Sequence, residues 1–118
     1  MRVLLVDDDP DARAIFEEML SEYNVKVADD GEKAVELYRR FKPDVVLMDV
    51  ILPSKDGIEA AKEILSFDEN AKIVAITAYA RQHREKILDA GILEILEKPF
   101  FMKDLIGVVE RYGKGHKR

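Results

Sequence analysis

"LLVDDDPDAR", residues Leu4 to Arg13, is the stretch on which the fold turns. An apolar run stops abruptly at three adjacent aspartates. Asp9 then stands as an N-cap before Pro10, which suits the first position of a helix. Strand, acidic turn and helix start are thus written in ten residues. Ending a strand needs one Asp, Asn or Gly. Three neighbouring carboxylates repel, and each disfavours the ionised form of the others, so the excess charge asks for a chemical reason.

The same grammar repeats along the chain. Arg2 to Val6, Val25 to Ala28, Asp44 to Met48, Lys72 to Ile76 and Leu93 to Leu96 read as strands. Three of these are apolar nearly throughout, as strands of a parallel sheet covered on both faces must be. Amphipathic helices lie between them. The first starts at Pro10 and presents Phe16, Met19 and Leu20 on one side. The second opens near Asp30 and Gly31 and carries Ala34, Val35, Leu37, Tyr38 and Phe41. A third spans about Ile58 to Ser66, a fourth Arg81 to Ala90 with Gly91 as its stop, and a last one about Lys103 to Tyr112. The pattern is (βα)5, an α/β fold with a parallel sheet between two helical layers. It reads as one domain over residues 1–118, with no output domain, repeat or linker.

Composition narrows the partners. A chain of 118 residues with 47% apolar and 36% charged residues is a globular protein with a real core. Its net charge of −5 argues against nucleic acid as a direct partner. The basic tail "GKGHKR" reads as solvated. There is no cysteine, so disulfides, thiol catalysis and Cys-ligated metals are excluded. No apolar run is long enough for a bilayer and no signal-peptide pattern opens the chain, so a cytoplasmic protein with no membrane partner is expected.

In an open α/β sheet the ligand site lies beyond the carboxyl ends of the strands. The residues following the strands are Asp7, Asp8 and Asp9, then Asp49, then Thr77 and Ala78, then Lys98 and Pro99. Crowded carboxylates without His or Cys suit Mg²⁺, or Mn²⁺, rather than Zn²⁺. A carboxylate beside such a metal can act as a nucleophile and form an aspartyl phosphate. Lys98 and Thr77 could then meet the phosphoryl oxygens. Asp9 is better placed as a helix cap than as a ligand. His83 and His116 lie away from this rim and read as solvated.

Taken together and in order, these motifs resemble the receiver domain of two-component response regulators over nearly the whole chain. The matching elements are the Asp7–Asp8 pair, Asp49 to Gly57 as D-x-x-x-P-x-x-D-G, Thr77 with a small Ala78, and Lys98-Pro99. The resemblance implies a flavodoxin-like, doubly wound sheet of order 2-1-3-4-5. It implies that Asp49 accepts a phosphoryl group from a histidine kinase. It also implies a metal held by Asp8, Asp49 and the main-chain carbonyl of Ile51, with Asp7 acting through water, and a cis Lys98–Pro99 bond. Kinase docking is expected beside the site on the first helix, where Ala12 and Ile15 are left apolar and outward.

Two positions depart from the family. Ile95 stands three before Lys98, where an aromatic residue usually reports phosphorylation, and an aliphatic side chain cannot make that swing. Ile51 stands two after Asp49, where polar residues are common. With Tyr79 it lies on the expected approach of the hydrolytic water, so the phosphoryl group is expected to be long-lived. The expected protein is a monomeric, stand-alone receiver that catalyses only its own phosphorylation and dephosphorylation. It would pass the group to a downstream histidine phosphotransferase or bind a target when phosphorylated. Two other classes compete. A haloacid-dehalogenase-like phosphatase would need D-x-D-x-[TV], but Pro10, Asp11 and Ala12 follow the third Asp and no cap domain fits. A non-catalytic flavodoxin-like binding module would leave the carboxylates unexplained.

Overall fold

Val3, Leu4, Leu5 and Val6 are all fully buried, so the first strand, β1 (Arg2–Val6), is covered on both faces. Successive residues are buried this way in a parallel sheet lying between helices. The computed structural model describes residues 1–114 and shows that arrangement. After β1 come α1 (Pro10–Met19), β2 (Asn24–Ala28), α2 (Gly31–Phe41), β3 (Val45–Met48), α3 (Gly57–Phe67), β4 (Ile73–Thr77), α4 (Ala80–Asp89), β5 (Glu94–Glu97) and α5 (Met102–Lys114). All strand pairs are parallel and the order is β2-β1-β3-β4-β5, the flavodoxin-like sheet. His116 and the tail beyond Lys114 lie outside the described residues.

Strand pleating divides the core in two. Leu4 and Val6 of β1, Val46 and Met48 of β3, and Ile73 and Ala75 of β4 pack with Ala34, Tyr38, Ala61, Ile64 and Ile87 from α2, α3 and α4. Val3, Leu5, Val45, Leu47, Val74 and Ile76 pack on the other side with Phe16 and Leu20 of the α1 region and with Leu105, Val108 and Val109 of α5. Truncating any of these large side chains to Ala typically costs about 2–5 kcal/mol.

Several boundaries differ from the sequence expectation by one residue. β2 starts at Asn24 rather than Val25. β4 and β5 both sit one residue later, because the ladder pairs Val74 with Glu94 and Thr77 with Glu97. Thr77 is therefore the last residue of its strand rather than the first beyond it. Leu93, expected inside β5, precedes it and is 44% exposed. Helix α4 begins at Ala80 and ends at Asp89, ahead of Gly91, whose φ of +94° a side chain would strain.

The caps place the site loops. Asp9 accepts the Asp11 N–H at 3.0 Å and Asp30 accepts the Lys33 N–H at 2.8 Å. Asp56 and Glu59 form a full capping box at the start of α3. Gly57 follows that cap because no side chain fits there. A methyl group on it would lie 2.1 Å from the Asp49 carbonyl oxygen and 2.7 Å from the Val50 Cα. Gly107, inside α5, has nothing within 4 Å of the same position. Gly57→Ala should therefore destabilise the fold by roughly 1–3 kcal/mol, the scale of forced overpacking. Gly107→Ala should stabilise it by about 0.5–1 kcal/mol through helix propensity. Urea midpoints of the two variants check these opposite signs.

Candidate functional site

Asp7, Asp49 and Lys98 each stand one step beyond their strands yet remain on the sheet's hydrogen-bond ladder. The Asp7 N–H donates to the Ala28 carbonyl at 3.1 Å, the Asp49 N–H to Val6 at 2.9 Å, and the Lys98 N–H to Thr77 at 2.9 Å. The backbone under the chemistry is thus fixed by main-chain bonds. The Lys98–Pro99 bond is cis, as expected.

The side chains converge. Lys98 Nζ donates to Asp7 Oδ2 at 2.9 Å and to Asp49 Oδ2 at 3.0 Å. The other Asp7 oxygen accepts the Asp9 N–H at 3.0 Å, and the other Asp49 oxygen accepts the Ile51 N–H at 3.2 Å. Asp7 is fully buried, Asp49 nearly so, and Asp8 is exposed. One carboxylate oxygen from each of Asp7, Asp8 and Asp49 lies within 4.8 Å of the others. This all-oxygen, hard donor set fits Mg²⁺ or Mn²⁺.

Burial pushes the Asp49 carboxyl above its ordinary value, and Asp7 adds to that, while Lys98 and the Ile51 N–H pull the other way. For Lys98, burial works against the charge, but its hydrogen bonds to Asp7 and Asp49 outweigh it and hold the ammonium above its usual range. Thr77 is fully buried and its Oγ1 accepts the Tyr79 N–H at 3.0 Å, which leaves the hydroxyl hydrogen to donate. Ala78 is exposed; Ile51 and Tyr79 are 48% and 50% exposed. Ile95 packs against the core cluster on the α4 side of the sheet.

A family model described as "Response regulator receiver domain" matches residues 3–110. The chain belongs to this family. It is 43% identical to the transcriptional regulatory protein PdtaR of Mycobacterium tuberculosis, covering 92% of this chain but only 55% of PdtaR. It is 34% identical to the chemotaxis protein CheY of Thermotoga maritima, covering 96% of this chain and 98% of that protein. Among solved structures it resembles the receiver domain of the sensor histidine kinase PA1611 from Pseudomonas aeruginosa, with a TM-score of 0.90 and 37% identity over 95% of this chain and 96% of that one. That structure has a magnesium ion coordinated in its active-site cleft.

Receiver membership also sorts the remaining expectations. Asp9 is used as a helix cap, so the D-x-D arrangement of the phosphatase reading is not assembled. Ala12 is half-buried and Ile15 is 54% exposed, and both line a groove of about 280 Å³ with Phe16, Met19, Lys98, Pro99 and Phe100. Sequence reading missed the wall of this groove. Phe16 stacks on Phe100 at 5.2 Å between centroids, and Lys98 Nζ lies 5.7 Å from the Phe16 ring. It also missed Arg13, whose guanidinium donates to the Asp7 carbonyl at 2.9 Å. Neither contact leaves a short-range pattern.

The raised Asp49 carboxyl has a consequence for stability. A carboxyl whose native pKa lies above its unfolded value favours the fold when protonated and burdens it when ionised. Asp49→Asn should therefore raise the metal-free melting midpoint at neutral pH by about 4 °C per kcal/mol gained at this chain length. That advantage should shrink as pH falls through the window between the raised native value and the ordinary carboxylate value. Calorimetric scans of both proteins across that window check it.

Proposed function

We propose that this receiver accepts a phosphoryl group on Asp49 from the phosphohistidine of a histidine kinase. One observation carries the reading: Asp49 is the buried strand-end carboxylate that shares Lys98 with Asp7 and has carboxylate oxygens of both Asp7 and Asp8 within metal-ligand reach. An Asp49 oxygen forms the new bond to phosphorus as the bond from phosphorus to the imidazole nitrogen breaks. The departing imidazole keeps that electron pair. Lys98 then turns from its two carboxylates toward a phosphoryl oxygen, and Thr77 donates its hydroxyl hydrogen to another. Asp8, Asp49 and the Ile51 carbonyl would hold the divalent cation, with Asp7 acting through water. When bound, the cation offsets charge on the phosphoryl oxygens.

In this reading the protein turns over no separate substrate and catalyses only its own phosphorylation and dephosphorylation. The groove of Ala12, Ile15 and Pro99 beside Lys98 takes the kinase's docking helix. Packed Ile95 lacks an aromatic to swing, which favours a relay to a downstream histidine phosphotransferase over a switch read by a target protein. No helix among the described residues is long and apolar enough to cross a membrane.

Intact mass after exposure to acetyl phosphate and Mg²⁺ tests the assignment. The wild type should gain one phosphoryl group, labile to hydroxylamine, and Asp49→Asn should gain none. Uptake by that variant at the wild-type rate would sink it. The lifetime follows from Ile51 and Tyr79, which offer an incoming water little to bind on the Ile51 side and bulk on the other. Ile51→Asn should speed decay of the phosphorylated protein in Mg²⁺ by roughly tenfold, the scale of a modest positioning effect. Decay no faster than wild type would remove Ile51 from the water path.

A further inference from the structure

Asp8 is the least supported of the three rim carboxylates. It is exposed, and its side chain makes no hydrogen bond or ion pair with any described residue. Asp7 has both carboxylate oxygens engaged and Asp49 likewise. The direction in which Asp8 leaves the chain is set by its backbone, above all by the peptide plane joining Asp7 to Asp8. Among the described residues, one donor meets the carbonyl of that plane: Arg13 Nη1, at 2.9 Å and half-buried.

Arg13 is well placed to hold it. It sits on the second turn of α1, where its own N–H donates to the Asp9 carbonyl at 2.9 Å, so its Cα is fixed to the same loop. On the far side its charge acts on Asp29, which pairs with Lys33 at 3.0 Å at the start of α2. Val27, Ala28, Asp29 and Lys33 form a small cavity with Arg13, between the β1–α1 and β2–α2 loops. A planar guanidinium with several fixed donors suits such a bridge better than a mobile ammonium.

We propose that Arg13 is a positioning residue for the metal seat: by clamping the Asp7 carbonyl it aims the Asp8 carboxylate at the cation. The role rests on the metal seat proposed above. It runs against simple electrostatics, because a cation beside a cation site should weaken metal binding. Partners that orient metal ligands are worth about 10- to 100-fold in metal affinity, more than one screened charge at partial exposure contributes.

The signs separate the two effects. Titration calorimetry with Mg²⁺ alone should give R13M a dissociation constant about tenfold above wild type. R13K, which keeps the charge but carries its donor on a shorter, more mobile side chain that does not fix the Asp7 carbonyl as the planar Nη1 does, should also bind more weakly. Thermal unfolding of the metal-free variants should show midpoints close to wild type, which separates aim from general stability. Mg²⁺ binding by R13M as tight as wild type, or tighter, would overturn the role, and so would wild-type affinity in R13K. Should R13M not fold, R13K alone decides. If wild type takes up no Mg²⁺, the metal seat itself fails and the role falls with it; if wild type binds and the variants match it, only the role of Arg13 fails.

Discussion

One ammonium between two buried carboxylates is the constraint to which the rest of this structure answers. Asp7 and Asp49 are both withdrawn from water, and Lys98 bridges them. Buried like charges are costly unless paired, and a single cation offsets only part of three nearby acids. The remainder is a standing negative potential at the rim, held open by the fold. The sheet order makes this bridge demanding. Lys98 follows the strand next to β4, and β3 lies on the other side of β4, so the Lys98 and Asp49 side chains together span about two strand spacings, roughly 10 Å, over the end of β4. Thr77 and Ala78 there are small, which leaves the path clear.

The two-sided core serves the same constraint. Helices on both faces keep water from the flanks of the rim, so the polar groups meet solvent only from above. Burial along β1 from Val3, along β3 and along β4 is continuous up to the last apolar residue before each functional one. The change from fully apolar to polar or charged therefore occurs within one peptide unit. Gly57 shows how tight the supporting loop is, since its Cα packs against the backbone of Asp49 and Val50.

How much of this was legible before the structure depended on the range of the signal. The βα alternation and the rim residues were readable because both-face burial and strand-end chemistry leave short, contiguous patterns. β4 and β5 were misplaced by one residue because apolarity marked Leu93 as strand and left out Thr77 and Glu97, which the ladder pairs with each other across the strands where no local pattern records it. The Asp56–Glu59 capping box was readable as D-x-x-E but was overshadowed by the Pro53 and Gly57 turn signals. The Phe16–Phe100 stack and the Arg13 clamp join residues whose proximity exists only once α1 has docked on the sheet.

The ladder bonds that continue past the strand ends separate two things that evolution must tune. Asp7, Asp49 and Lys98 are located by N–H and C=O groups, which every residue but proline supplies alike. The outer residues of α1 can therefore be exchanged for others without shifting the reactive atoms, as long as Arg13 and the buried side of the helix are kept. On the reading proposed above, partner recognition on the outer face of α1 and phosphoryl transfer at Asp49 fall on different residues. A population of copies of this domain could diverge in whom they answer while keeping what they do.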